Sequence, residues 1–451
     1  MTSLTERVLA GREPAFAMLY RPGAGLGDRV DVLAGPFTAF ASLADLPLGP
    51  APAEAPTQDH ALTDGLRDSP ADATHEHLVL IPYQQITERG FAGPRDGTPL
   101  QAMRIDTQET VPLGTLAQRL PDRRPAAGPG DFDLDDEQFA LRAKAIVAEE
   151  IGSGAGANFV HKRTFSVDVS DYSLDDAFGF FRRLLLAESG VYWTFLIHTG
   201  ERTLVGATPE RHVSLARGTV VMNPISGTYR YPESGPTVRG VLDFLADRKE
   251  IDELSMVLDE ELKMTARICA AGGRVAGPYL KEMARLAHTE YYIAGRCGRD
   301  PRQILHETLF APTVTGSPLE SACRVIERYE PEGRGYYSGA AALIGRDGAG
   351  AAAMDSAILI RTADISPAGR VRISVGATLV RHSDPASEAA ETRAKTAGLV
   401  HALRGTEVGA ARAHAADGHF AARLDVRRAL AAPRPPARRP GRAGPGRDSA
   451  G

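Results

Sequence analysis

The sequence predicts an α+β protein, with antiparallel sheet at its centre and helices packed outside. Three observations point there. Apolar runs of strand length follow one another with only short turns between them. Longer segments with helical spacing interrupt them without strict strand–helix–strand alternation. No fixed-period repeat suggests a solenoid or propeller instead.

The elements can be justified in order. Residues 1 to about 50 read as short strands, PAFAMLY and DVLAG among them, set off by Gly and Pro. The stretch 50–76 is polar and rich in Pro and Ala, as surface loops are. HLVLIPYQQI (77–86) is a strongly apolar strand. PDRRPAAGPGDFD (121–133) is linker-like and closes an N-terminal region. DDEQFALRAKAIVAEEIGSG then has helical spacing, acidic residues in its first turn and Gly152 beyond its end. NFVHKRTFSVDV is a strand, and LDDAFGFFRRLLLAESG a helix closed by Gly190. VYWTFLIHTG, RTLVGATPERHVSLA and TVVMNPISGTY are successive strands. One long helical stretch is expected from about Pro236 to the Ala-Gly-Gly at 271–273. YYSGAAALIG, SAILIRTADI and RVRISVGATLV are strands, and the last leads into a helix from Asp384 to about Leu403. Asp384 is its expected N-cap and Pro385 its first residue. From Pro433 the chain reads PRPPARRPGRAGPGRDSAG, with no apolar residue larger than Ala. Burial there cannot offset the entropy of ordering, so disorder is expected.

Composition narrows the function. The chain has 451 residues, with 52 Lys+Arg against 57 Asp+Glu and a formal net charge of −5. That balance argues against a nucleic-acid partner for the protein as a whole. Its hydrophobic content of 43% supports a sizeable core, and the length allows about two or three domains. Cys269, Cys297 and Cys323 cannot build a disulfide framework or a Cys-rich metal cage, which fits a reducing cytoplasm. The N-terminus lacks the apolar run of a signal peptide. No apolar stretch reaches the ~18–20 residues of a membrane span, so no membrane partner is expected.

The most informative pattern is a pair of carboxylate pairs. DRKEIDEL places Glu250 and Glu253 one helical turn apart, and HSDPASEAAET does the same with Glu388 and Glu391. Two such helices facing each other would line an oxygen-rich site for a hard cation such as Mg²⁺. A solvated face on each helix accounts for the same spacing. Arg361, at the end of SAILI, could grip a carboxylate in a fork or simply reach solvent. Gly376-Ala377 could bring backbone N–H groups close to an anion, or mark a β-bulge. Gly152–Gly156 lacks the strand-before, helix-after context of a phosphate loop. Cys297 in GRCGR lacks the closing glycine of a nucleophile elbow. His75-Glu76-His77 lacks a nearby third metal ligand, and His288 alone reads as a structural histidine.

Taken together, the blocks GANFVHKRTF, VGATPERHV, NPISGTYRYP, DRKEIDELSMVLDEELKM, LAHTEYYIAGR, TVTGSPLESACRVI, GRGYYSGAAALIG, SAILIRTADI and ISVGATLVRHSDPASEAAETRAK carry a likeness. The chain resembles the chorismate-utilising enzymes, the family of anthranilate, aminodeoxychorismate, isochorismate and salicylate synthases. The likeness runs from about Asp135 to Leu403 and is strongest to the phenazine-pathway branch that makes 2-amino-2-deoxyisochorismate. It extends there into AFAMLYRP and LIPYQQITERGF. It implies a chorismate-binding fold of two large, mainly antiparallel sheets packed together. Residues 1–133 would be an N-terminal region of that same fold, 134–404 the catalytic domain, and 405–451 a residual linker and tail.

The resemblance also implies roles. Glu253 and Glu391 match direct Mg²⁺ ligands, and Glu250 and Glu388 the second carboxylate of each pair. Arg361 matches the arginine on the enolpyruvyl carboxylate of chorismate, with Tyr337, Gly376 and Ala377 beside it. Gly227 and Thr228 match a substrate-contacting turn. Glu210 matches the general acid to the departing C4 hydroxyl, a role that requires a raised pKa. His288 matches a histidine near the ring in anthranilate-forming relatives. Water-adding members carry a lysine base where this chain has Asn158; its amide suits ammonia instead. Lys162, four residues along, is too distant to replace that lysine. The implied reaction is Mg²⁺-dependent amination of chorismate at C2, with loss of the C4 hydroxyl, for secondary metabolism. An anthranilate synthase large subunit that also eliminates pyruvate is the alternative, and a non-catalytic chorismate-binding subunit a third. No glutamine-hydrolysing unit is recognisable after residue 403, although GHFAARLDVRRALAAPR (418–434) resembles the start of a linker toward one. Ammonia is therefore expected from a separate glutamine amidotransferase subunit, and a homodimer is expected.

Overall fold

The computed structural model describes residues 2–24, 27–49, 73–232, 234–330 and 332–405. Most of the 50–76 loop expectation, and the tail and linker expectations beyond residue 405, lie outside the described residues. Within them the chain folds as two packed antiparallel sheets, as the resemblance implied. One sheet has eleven strands; its path runs Gly316–Ser317, Asn158–Ser170, Arg370–Val380, Thr362–Ile365, Thr203–Thr208, Trp193–His198, Phe16–Tyr20, Arg29–Ala34, Thr107–Pro112. The other has ten, and its path runs Ile225–Arg230, Leu286–Arg296, Thr219–Met222, Arg211–Ala216, Ala352–Ile358, Ala340–Arg346, Thr74–Ile81, Leu100–Arg104, Phe37–Phe40.

Residue alternation explains the layers. Ala17, Leu19, Leu78, Leu80, Phe195 and Ile197 belong to one core cluster that draws on both sheets. Their neighbours Phe16, Met18 and Leu196 face outward, into a core shared with the helix Leu174–Ala187. Val79 and Ile81 face outward on the other sheet, into a core with the helices Arg248–Ile268, Pro301–Thr308 and Leu319–Tyr329. Both faces of these strands are buried, so LVLI reads as an unbroken apolar run.

Five expectations need correction. The strand expected over 77–86 runs Thr74–Ile81 instead, beginning inside the expected loop, and Tyr83–Arg89 is a short helical turn after Pro82. RTLVGATPERHVSLA is two strands, Thr203–Thr208 and Arg211–Ala216, which lie in different sheets. SAILIRTADI likewise divides into the end of Ala352–Ile358 and Thr362–Ile365. Apolar continuity on both sides of each crossing conceals it in the sequence. The long helix breaks at Ala246–Asp247 into Val238–Leu245 and Arg248–Ile268, and Asp247 Oδ1 accepts from the Glu250 N–H at 3.4 Å. The linker-like 121–133 stretch is pinned: Ala126–Ala127 and Asp131–Phe132 both pair with Asn158–Ser170. The start of the helix Pro385–Arg404 is as expected, with the Asp384 side chain accepting from the Ser387 N–H at 2.8 Å.

A buried ion pair fixes the strands beneath the cleft described next. Arg334 donates to both oxygens of Glu330, at 2.7 and 2.8 Å, and to the carbonyls of Val160 and Val314. Glu330 also accepts the Lys162 N–H at 2.8 Å. Burial, the largest single effect, would raise the Glu330 pKa, but Arg334, His161 and Lys162 together outweigh it and hold the carboxyl well below its usual range. Glu330→Ala would strand a buried guanidinium and is expected to cost about 3–5 kcal/mol. An unfolding free energy, from urea denaturation, lowered by less than about 1 kcal/mol would assign this pair the weight of a surface bridge.

Candidate active site

An open cleft of about 840 Å³ lies where the ends of both sheets meet two helices. Two backbone crossings between the sheets form its floor. Pro209 and Glu210 make the first, and Leu359 to Arg361 the second. Glu210 and Arg361 both line the cleft. Arg361 has φ +51°, a left-handed conformation that a non-glycine residue adopts only under local constraint.

Glycines make room for the remaining walls. The strands Ile225–Arg230 and Leu286–Arg296 fall out of register between Ser226 and Tyr229, so Gly227 and Thr228 turn into the cleft. Gly227 has φ +66°, and a side chain there would strike Glu250. A side chain at Gly376 would strike the Tyr337 hydroxyl and Val160. Tyr337 is held from behind, its N–H donating to the Arg334 carbonyl at 3.0 Å.

All four helix glutamates line this one cleft: Glu250 and Glu253 from Arg248–Ile268, Glu388 and Glu391 from Pro385–Arg404. Glu253 and Glu388 are buried. The Ser226 hydroxyl donates to Glu253 at 2.9 Å, and Lys395 pairs with Glu391 at 2.6 Å. Among the described residues, no three His, Cys, Asp or Glu side chains close tightly enough to hold an ion by themselves. Mg²⁺ does not need them to, because it is commonly held by one or two carboxylates, with waters and substrate oxygens completing the shell. The all-carboxylate donor set fits such a cation.

The proton-carrying groups are sharply tuned. Burial pushes the Glu210 carboxyl up to about 8, although Thr313, the Ile225 backbone and two lysines pull the other way. Glu261 is buried behind it; burial and the Glu210 charge push its carboxyl well above the usual range. Burial, followed by the Arg361 charge, lowers His288 to about 3, so its ring is neutral. His288 Nδ1 lies 2.5 Å from the Gly227 carbonyl, which can only accept. Nδ1 therefore carries the proton, and Nε2, which has no protein partner, presents a lone pair.

Two expected residues stand apart from the cleft lining. Ala377 packs on Phe139 and Ala389. Asn158 is buried beyond Val160, and neither side-chain heteroatom has a protein partner. Sequence reasoning missed Ser226, Thr313, Ser374, Thr378 and Lys395. Only Lys395 left a local signal, four residues after Glu391. The weaker motifs resolve without chemistry. The Arg21 guanidinium lies 3.0 Å from His75, Cys297 sits in the apolar core, and Gly152 to Gly156 form the turn from helix to strand.

Comparison with known proteins now bears on this cleft. The model of the chorismate binding enzyme family matches residues 57–401. The chain belongs to that family. It is 56% identical over 429 residues to "Anthranilate synthase, phenazine specific" of Pseudomonas fluorescens, covering 95% of this chain and 63% of that one. The protein of that name from Pseudomonas chlororaphis is 55% identical over 428 residues, with the same coverage. This chain thus spans 63% of the length of both relatives. Among solved structures, MenF, the menaquinone-specific isochorismate synthase of Escherichia coli, aligns with a TM-score of 0.66 at 18% identity, covering 89% of this chain and 91% of that one. Anthranilate synthase component I of Streptococcus pneumoniae aligns with a TM-score of 0.60 at 22% identity, covering 73% and 81%. These two structures share the fold. Among the described residues, no helix is long and apolar enough to cross a membrane.

The Glu210 environment makes a stability prediction. The unfolded chain ionises this group near 4.5, while the native state holds its proton to about 8. The stabilisation associated with the proton is complete below the lower value and lost as pH rises through the upper one. Glu210→Gln, neutral throughout, should lose less stability than the wild type across that window. Parallel denaturation profiles would contradict the shift.

Proposed function

We propose that the chain is an Mg²⁺-dependent chorismate aminase that adds ammonia at C2 of the ring, releases the C4 hydroxyl and yields 2-amino-2-deoxyisochorismate. One observation carries this reading: Glu210, Arg361, His288 and all four helix carboxylates line a single cleft. The identity to phenazine-specific relatives supports the branch.

Glu253 and Glu391 would hold the cation, with Glu250 and Glu388 behind them, and Mg²⁺ when bound supplies positive charge to the ring carboxylate. Arg361, rigid in its turn, forks onto the enolpyruvyl carboxylate. Glu210 gives its proton to the leaving hydroxyl. Asn158 offers an amide oxygen to the N–H of ammonia, and cannot deprotonate water as a lysine base would. Ammonia comes from a glutamine amidotransferase partner, the enzyme works as a homodimer in the cytoplasm, and the product enters secondary metabolism.

One observation favours a second reading. The His288 Nε2 lone pair faces the cleft, and a base there suits the proton removal that would accompany pyruvate elimination to anthranilate. The product decides between them. With chorismate, Mg²⁺ and ammonium chloride, a non-aromatic amino product is expected, and accumulation of fluorescent anthranilate would establish the second reading. Glu253→Gln and Glu391→Gln are each expected to abolish product, and turnover surviving in both would remove the metal assignment. At a constant concentration of free ammonia, the rate should fall as pH rises through about 8, where Glu210 loses its proton. A rate still climbing there would exclude Glu210 as the acid.

A further inference from the structure

Glu388 and Glu391 reach the cleft from one helix, and a single buried side chain beneath that helix grips the turn between them. Arg163 lies on the strand Asn158–Ser170, three residues beyond the cleft-lining Val160, so its side chain leaves the sheet on the face away from the cleft. It is 0% exposed. Its Nε donates to the Thr392 hydroxyl at 2.8 Å, and its Nη2 to the Ala389 carbonyl at 2.9 Å. The Thr392 hydroxyl gives its own proton to the Ala389 carbonyl at 2.7 Å, which leaves its oxygen to accept from Arg163. Ala389 follows Glu388, and Thr392 follows Glu391. One planar group thus holds the residue after each glutamate and spans the helical turn that separates the two carboxylates.

The guanidinium is fixed in turn. Its Nη1 donates to the Leu134 carbonyl at 3.0 Å, and its Nη2 pairs with Asp136 at 2.8 Å. Its central carbon lies 4.0 Å from the centre of the Phe132 ring and 5.0 Å from that of Phe139. Asp136 also accepts from Arg393, on the glutamate-bearing helix, at 2.7 Å. Phe132, Leu134, Asp136 and Phe139 contribute nothing to the cleft lining, yet through Arg163 they bear on two of its carboxylates.

We propose that Arg163 is a positioning residue for the cation site: by clamping the turn between Glu388 and Glu391 it sets the carboxylate spacing that favours Mg²⁺ over Ca²⁺. This rests on the metal assignment in the proposed function. Mg²⁺ demands near-ideal octahedral geometry with oxygens at about 2.0–2.1 Å, whereas Ca²⁺ accepts more ligands at longer and more variable distances. A small shift of a carboxylate therefore penalises Mg²⁺ more than Ca²⁺. Lysine cannot take the place of Arg163, because a point charge cannot bond both residues in one fixed plane.

The test titrates the full chain with MgCl₂ and, separately, with CaCl₂, with chorismate present and ammonium left out, and reads binding by calorimetry. Arg163→Lys keeps the buried charge and loses the fork. Its Mg²⁺ dissociation constant should rise about tenfold, with Ca²⁺ binding changed less than about threefold. Thr392→Val removes one of the two grip points and should weaken Mg²⁺ by a smaller factor. Leu399→Ala opens a cavity two turns further along the same helix; it should lower the unfolding temperature and leave Mg²⁺ binding as in the wild type. Near-ultraviolet circular dichroism confirms that each variant is folded; should Arg163→Lys fail, Thr392→Val carries the test. Wild-type Mg²⁺ affinity in a folded Arg163→Lys or, failing that, in Thr392→Val overturns the clamp and leaves the metal assignment intact. Equal losses for both ions, or a loss matched by Leu399→Ala, make Arg163 a structural staple and overturn it too. A wild type that binds no Mg²⁺ overturns the clamp and the metal assignment together.

Discussion

The two crossings between the sheets are hydrogen-bonded to each other, and the geometry of the cleft depends on that bond set. The Ile358 N–H donates to the Glu210 carbonyl at 3.1 Å, and the Ala207 N–H to the Arg361 carbonyl at 3.0 Å. The Thr208 hydroxyl adds a third link, to the Ile358 carbonyl at 2.7 Å. An acid and a cation far apart in sequence are thereby held at a fixed separation by backbone rather than by flexible side chains. The positive φ of Arg361 is tolerated because both flanking strands are locked into sheets.

The charge pattern follows from this frame. Glu210 keeps its proton because the sheets around it exclude water. His288 stays neutral because it is buried and faces Arg361. Deep in the site Glu210 and His288 are thus uncharged beside the charged Arg361, while the helix carboxylates gather at the cleft. Lys395 offsets part of that negative charge: it pairs with Glu391 and donates to the Gly376 carbonyl at 3.0 Å.

Local features of this protein were legible in its sequence, and non-local ones were not. Glu250 with Glu253, and Glu388 with Glu391, are one turn apart, so helical spacing alone put each pair on one face. The Asp384-Pro385 start needed only its neighbours. That the two pairs line the same cleft was implied by resemblance and is seen in the fold. Glu210 and Arg361 lie inside what reads as continuous strand, because the residues on both sides of each crossing are buried and apolar. Nothing local marks the chain's passage between sheets there. The strand neighbour of Asn158 was equally hidden, since Ser317 is 159 positions away and meets it only across a strand pair.

The sheet order also bears on how the protein is made. Thr74–Ile81 has Ala340–Arg346 as a neighbour, so part of one edge is synthesised roughly 260 residues before its partner. At about 5–20 residues per second, a ribosome leaves that strand incomplete for tens of seconds. An apolar strand with unpaired N–H and C=O groups is a template for pairing with another nascent chain. The interleaving that builds one cleft from distant segments therefore makes the newborn polypeptide a natural client for chaperones, and slower, cooler expression should favour its recovery in soluble form.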